Sequence, residues 1–278
     1  MHLRPLTEAD LPATAALGRF LGPPRADGFA IDGPGGLIAA GWLREGSGAE
    51  GLRLHLDGAV DGRHRGRGLG ARLLAALEAE ARRRAAGRAG VLRIDVADRS
   101  PAAAALYRAQ GFALAVQEVE MARPTEPGPA PDWPAGIEAL PWRDDLAPQF
   151  HAAWHDAFRE RPGFPGWDCA AWAGAYRRLP PFRPDLSRLL RVGDRPLAFL
   201  MAGAEGGEGI VFQMGVRPEA RGRGLAESLL RRALADFAAI GLARAVLEVA
   251  TNNARAARLY ARLGFQARRT VEGWKKAL

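Results

Sequence analysis

Two short segments, Arg65-Gly66-Arg67-Gly68-Leu69-Gly70 and Arg221-Gly222-Arg223-Gly224-Leu225-Ala226, place glycine at alternate positions after an apolar run and before an amphipathic one. Glycine lets the backbone bend tightly there and turn successive N–H groups toward an anion, and the start of the following helix adds the positive end of its dipole. The chemistry that suits such a turn is holding a phosphate or pyrophosphate. Neither segment is a Walker A loop, since Gly-Lys-Ser/Thr is missing, and neither is a well-formed dinucleotide fingerprint. A lone glycine-rich turn is often only a turn. Here each copy is followed by Leu-Tyr-x-x-x-Gly-Phe, at Leu106–Phe112 and Leu259–Phe265, and chance is a poor explanation for the pair.

The elements that must position these residues also come twice. Pro124 to Pro134 forms neither helix nor central strand and reads as a semi-rigid linker. Before it, the pattern predicts strands at His2 to Leu6, Phe29 to Asp32, Leu37 to Leu43, Leu52 to Val60, Val91 to Ala97 and Val116 to Ala122. Helices are predicted over Glu8 to Arg19, Leu69 to Arg84 and Pro101 to Gln110. The second half follows the same plan, with a strand near Ile137, helices over Asp144 to Phe158 and Asp168 to Arg178, a hairpin from Leu189 to Met201 and a strand from Ile210 to Val216. Arg65 and Arg221 are offset by 156 residues, and Tyr107 and Tyr260 by 153; the three extra residues of the first copy fit the loop Ala85 to Gly90. The expected division is a unit over 1–123, a linker over 124–135 and a unit over 136–278.

Composition narrows the class. With 278 residues, 48% hydrophobic and 25% charged, the chain has material for two globular cores. No apolar run is long enough for a membrane span, and no signal-peptide core follows Met1, so the expectation is a cytoplasmic protein without a membrane partner. Cys169 is the single cysteine and the five histidines show no ligand spacing, which argues against a disulfide or a metal site. The net charge of +8 is spread over both halves, 17 basic against 14 acidic residues in 1–123 and 22 against 17 in 124–278, so no concentrated basic face suggests nucleic acid.

The segments Val216-Arg217-Pro218-Glu219-Ala220-Arg221-Gly222-Arg223-Gly224-Leu225-Ala226 and Asn252-Asn253-Ala254-Arg255-Ala256-Ala257-Arg258-Leu259-Tyr260-Ala261-Arg262-Leu263-Gly264-Phe265 resemble the GNAT acetyltransferase superfamily. The likeness covers nearly the whole chain as two tandem units. It implies an α/β (α+β) fold in each, a mixed, mostly antiparallel twisted sheet flanked by helices with a splayed central strand pair. It also implies acetyl-CoA as co-substrate and an amine as acceptor, either a small molecule or a peptide N-terminus or lysine. The resemblance places backbone N–H groups of Met214, Gly215 and Val216 at the thioester and pantetheine arm. It places Arg221, Gly222, Arg223, Gly224 and Ala226, with Arg65, Gly66, Arg67, Gly68 and Gly70 in the first copy, at the pyrophosphate. Asn253 matches a cofactor contact, read from its type alone as a helix cap, and Ser100 stands there in the first copy. Tyr260 and Tyr107 match a general acid beside the thiol sulfur.

An alkyl ammonium with pKa of about 10.4 must lose a proton before it attacks a thioester. Many GNAT relatives carry a Glu on the strand before the glycine turn, at a position that aligns with Ile210; Glu208, on the same face, is the candidate base, against the alternative of a solvated strand-end Glu. In the first copy that face shows Leu54, Leu56 and Gly58, with His55 and Asp57 turned away. The second copy also has two helices, rich in aromatic residues and histidine, where the family builds its acceptor pocket. Catalysis is therefore expected in the second unit. The alternative is a tandem protein that binds or senses CoA without turnover, and a monomer and a homodimer both fit.

Overall fold

The computed structural model describes residues 2–14, 16–17, 27–46, 52–97, 100–130, 132–161 and 164–278. Along the first half run β1 (His2–Pro5), α1 (Leu11–Thr14), β2 (Phe29–Gly33), β3 (Gly36–Gly46), β4 (Leu52–Val60), α2 (Leu69–Ala85), β5 (Gly90–Ala97), α3 (Pro101–Ala109) and β6 (Ala113–Pro124). The second half supplies β7 (Glu138–Pro141), α4 (Ala147–Phe158), α5 (Cys169–Arg177), β8 (Arg188–Val192), β9 (Arg195–Glu205), β10 (Glu208–Val216), α6 (Leu225–Ala239), β11 (Arg244–Ala250), α7 (Ala254–Arg262) and β12 (Gln266–Ala277).

Two compact units result, one of residues 1–117 and 270–278, the other of residues 118–269. The first orders its strands β1-β2-β3-β4-β5 with residues 271–277 of β12 beside β5, and all pairs but the parallel β4/β5 are antiparallel. The second orders them β7-β8-β9-β10-β11 with residues 118–124 of β6 beside β11, and only β10/β11 is parallel. The units depart from the sequence division in two places: residues 118–135, the end of the expected first unit together with the expected linker, lie in the second unit, and the last nine residues of the chain lie in the first. β12 was not foreseen. Its charged run, Arg268-Arg269 and Lys275-Lys276, hides the alternation that would mark a strand.

The core of each unit follows from helical spacing. In α2 the buried residues Leu69, Leu73, Leu77 and Ala81 recur every four positions and pack on Leu54, Leu56 and Leu92 of the sheet. In α6, Leu225, Leu229, Ala233 and Phe237 repeat the pattern against Val211, Ala245 and Leu247. Each fully buried leucine contributes about 1.5–3 kcal/mol relative to exposure. The opposite face of the second unit's sheet carries α4 and α5, whose Phe150, Trp154, Trp172 and Tyr176 meet Leu189, Phe199 and Met201. The helix expected over Glu8 to Arg19 is shorter: a 3-10 turn at Glu8–Asp10 leads into α1, and the rest of the prediction falls partly outside the described residues.

Candidate acetyl-transfer site

The parallel pair β10/β11 holds register only from Glu208↔Arg244 to Val211↔Leu247. Beyond that point β11 stays paired with β6 through Ala250, whereas β10 follows β9, through a bulge between Val211 and Gln213. A bulge adds a residue to one strand, bends it and strengthens its twist. From Phe212 to Val216, therefore, backbone N–H and C=O groups that point away from β9 have no strand partner among the described residues, and the two central strands part. Met214, Gly215 and Val216 lie on this free stretch, as expected for a binding edge. Gly215 leaves no room for a side chain, since a Cβ there would come within 2.7–2.9 Å of Phe199, Ala157 and Phe158.

The cradle lies directly downstream. Gly222 and Gly224 have φ of +81° and +75°, Gly224 is the left-handed N-cap of α6, and a Cβ on either would meet nothing within 4 Å. The turn thus opens onto space that an anionic group fits, at the positive end of a 15-residue helix. Arg221 steadies the turn by donating from Nε to the Val216 carbonyl at 3.3 Å. Arg223 is exposed and Ala226 lies in the first turn of α6. The first unit has the same build: Gly66 and Gly68 at φ +74° and +75°, Gly68 capping α2, and Arg65 Nε donating to the Val60 carbonyl at 3.2 Å. Arg67 is exposed there, and Gly70 sits close to Leu106, whose Cδ2 a Cβ would meet at 3.1 Å.

Tyr260 is buried on α7, its ring 6.1 Å from that of Phe265. Burial raises its hydroxyl above the usual phenol range, and the positive charge of Arg161 partly offsets this. Asn253 is the N-cap of α7 and accepts from the Ala256 N–H at 3.2 Å, while Ser100 caps α3 in the same way. Tyr107 packs its ring 5.5 Å from Trp274 and 6.4 Å from Phe112.

Glu208 lies elsewhere. It is the first residue of β10, at the end still paired with β11 and opposite the free stretch, and its carboxylate accepts from Arg268 at 2.9 Å and faces Arg244 at 3.5 Å. A different carboxylate stands where the strands part. Glu248 is the residue of β11 just past the last β10 pair, and it faces Glu120 across the β6 register with Glu118 two residues along. The residue is exposed on the strand, yet burial of the group, then the charges of Glu118 and Glu120 against that of Arg269, push its carboxyl up to about 7. Sequence reasoning missed this residue.

On the sheet face that carries α4 and α5 there is a cavity of about 390 Å³, walled by Trp154, Phe158, Phe164, Trp167, Trp172 and Tyr176. Gln213, on the bulge, and Arg161 also line it. Arg161 ties the cavity to the rest of the site, because its charge is felt by Tyr260 and it in turn feels Glu118 and Arg221. The aromatic residues of α4 and α5 are thus at once core and cavity wall.

A mixed sheet with a parted central pair, entered by a glycine cradle in each unit, defines an acetyltransferase of the GNAT class. The GNAT acetyltransferase family model matches residues 139–265 and a GNAT acetyltransferase domain model matches residues 26–114. Among curated proteins, the mycothiol acetyltransferase of Thermobispora bispora is 35% identical over 212 residues, 72% of this chain and 68% of that one. The chain belongs to the GNAT family and is an N-acetyltransferase in tandem-domain form. Among solved structures, a GCN5-related N-acetyltransferase from Sphaerobacter thermophilus superposes with TM-score 0.72 at 25% identity, covering 90% of this chain and 80% of that one. A tandem GNAT protein from the clavulanic acid biosynthesis pathway shares the fold with TM-score 0.65 at 17% identity, over 99% and 98% of the two chains. The tandem layout, which the sequence alone likens to mycothiol synthase, agrees with these relatives.

Proposed function

We propose that the protein transfers an acetyl group from acetyl-CoA to a primary amine by direct attack, and that the second unit carries the reaction. The observation that supports this most is the parting of β10 from β11 between the open cradle and two proton-transfer groups, Glu248 and Tyr260. Acetyl-CoA supplies the thioester carbonyl and the leaving thiolate. The residues of this chain do the rest. Gly222, Gly224 and the N-terminus of α6 receive the pyrophosphate, and free N–H groups of β10 orient the thioester and meet negative charge developing on its oxygen.

Glu248 takes the role first given to Glu208. An ordinary carboxylate is a weak base toward an ammonium, whereas one at about 7 is stronger and still ionised above neutral pH. The ammonium gives one proton to Glu248, the amine lone pair forms the N–C bond, the C–S bond breaks, and the Tyr260 hydroxyl protonates the departing sulfur. The amide nitrogen sheds a second proton, which restores Tyr260, so the products are an N-acetyl amine, CoA thiol and one proton. A hydroxyl held above the phenol range by burial stays protonated until the thiolate forms.

For the first unit we propose binding of acetyl-CoA without turnover. The residue equivalent to Glu248 is Asp95, held by Arg93 at 2.7 Å and His55 at 3.2 Å. A carboxylate so occupied is a poor base.

Calorimetry with acetyl-CoA tests the reading. The intact chain is expected to bind two molecules. Gly224→Trp and Gly68→Trp, which put bulk and an unfavourable positive φ into one cradle each, are expected to remove one apiece, and only Gly224→Trp to abolish thiol release. Tyr260→Phe should bind acetyl-CoA normally and lose about 10²–10⁴-fold in turnover. No binding by the intact chain would refute the assignment.

A further inference from the structure

We propose that the acceptor is an aromatic α-amino acid, with its side chain among the tryptophans of the 390 Å³ cavity, its carboxylate on Arg161 and its amine toward Glu248 and Tyr260. This rests on the N-acetyltransferase reading above and narrows its acceptor.

The walls come first. Trp154 lies 4.7 Å from Phe164 and 5.5 Å from Trp172, and Trp172 lies 5.3 Å from Tyr176, centroid to centroid. These rings already touch one another and form a continuous aromatic wall, which rewards a flat ring laid against it by offset or edge contacts that a polymethylene chain does not make. The volume is near the low end of the about 300–1,000 Å³ usual for small-molecule sites, which suits one aromatic side chain better than a polymer segment.

Charge decides the class. Arg161 stands at the cavity rim with its guanidinium 4.2 Å over the Phe158 ring, and among the described residues no carboxylate comes within ion-pair distance of it. Desolvation lowers its affinity for its proton, and Arg221 of the cradle adds repulsion. An anionic ligand group relieves both. Glu120 is taken up by Arg269 at 2.5 Å and Arg268 at 3.5 Å, which leaves Glu118 and Glu248, neighbours on β6 and β11, as the carboxylates that attract an ammonium. A polyamine would leave Arg161 facing cation, whereas the zwitterion of an amino acid meets both signs. Transfer to it forms the N–C bond at the α-nitrogen, breaks the C–S bond, and yields an N-acetyl amino acid, CoA thiol and one proton.

The test compares L-tryptophan with tryptamine, which differs only in lacking the carboxylate. Binding is measured by calorimetry on the full chain and its Arg161→Gln and Arg161→Lys variants, and acetyl transfer by thiol release. L-Tryptophan is expected to bind at least about tenfold more tightly than tryptamine, as for a charge-assisted bond, with that advantage lost in Arg161→Gln and partly regained in Arg161→Lys. Acetyl-CoA affinity should be unchanged. Equal binding of the two ligands overturns the proposal, as does a variant that weakens acetyl-CoA instead, which would give Arg161 to the co-substrate. Turnover with polyamines or peptide N-termini but not with aromatic amino acids would leave the acetyltransferase reading standing and remove this one. Arginine-dependent binding of L-tryptophan without transfer would make it a bound ligand and not the acceptor, and would overturn the proposal as well.

Discussion

Glu248 and Asp95 stand twelve residues before Tyr260 and Tyr107, yet their surroundings send the two carboxyls in opposite directions. Burial raises both. Around Asp95 the hydrogen bonds from His55 and Arg93 outweigh it and bring the carboxyl below its usual range, whereas around Glu248 the charges of Glu118 and Glu120 add to the rise and Arg269 offsets only part of it. The consequence is a pH dependence with a definite sign. The proposed mechanism needs Glu248 ionised, so kcat/KM is expected to fall as pH drops through about 7, and Glu248→Gln to flatten that limb and cost about 10²–10⁴-fold. Stability runs the other way. The folded protein holds a proton here that the unfolded chain gives up above 4.5, so stability declines as pH rises from 4.5 to about 7, and less steeply in Glu248→Gln. Denaturant midpoints across that range check it; a parallel decline in both proteins would show that other groups set it. The cradles and the tyrosines were legible in the sequence because backbone freedom and a repeated spacing mark them. Glu248 was not, because a single Glu on an alternating strand carries no mark of its own; the signal available was a carboxylate at the same distance before the Tyr in both copies.

At the level of elements, the difference between the copies is the bulge. β4 pairs with β3 without interruption from Ala39↔Val60 to Gly46↔Arg53, and its pairing with β5 ends at His55↔Arg93. Val246 is the counterpart of Arg93 by the 153-residue offset, and it pairs with Ile210. His55, not Leu54, therefore shares the place of Ile210. The alignment by sequence was one residue out on this strand, because a bulge inserts a residue without altering the pattern of types, and one residue reverses every side chain between faces. The elements themselves followed their periodicity closely, α2 and α6 above all, whereas the bulge, the length of α1 and β12 depend on tertiary pairing. The free edge of β10 also depends on how closely α4 approaches it, and Gly215 sets that approach. Gly215→Val would drive a side chain into Phe199, Ala157 and Phe158. It is expected to destabilise by about 1–3 kcal/mol through overpacking and to weaken acetyl-CoA binding at the second unit. A melt with and without acetyl-CoA separates the two effects: unaltered ligand stabilisation would mean that the edge tolerates the displacement.

For the whole molecule, the assignment of residues 270–278 to the first unit means that its fold is not encoded in one stretch of chain. Trp274 is 1% exposed, packs with Phe112, Leu92 and Ile94 in the first unit's core, and donates from Nε1 to buried Glu272 at 3.0 Å. Glu272 in turn accepts from Gln117 at 2.9 Å, and Lys276 pairs with Glu78 of α2 at 2.6 Å. Without this strand β5 also presents a bare edge, a row of unpaired backbone groups that promotes association. Residues 1–123 expressed alone, the unit that the sequence division suggests, are expected to aggregate or remain unfolded. In the full chain Trp274→Ala should cost about 3–5 kcal/mol, a large share of the about 5–15 kcal/mol that usually holds a domain together. Circular dichroism melts and acetyl-CoA stoichiometry read the outcome: the variant is expected to lose the site blocked by Gly68→Trp while retaining the one blocked by Gly224→Trp. A cooperatively folded 1–123 fragment that still binds acetyl-CoA would show instead that the core of the first unit closes without its last strand.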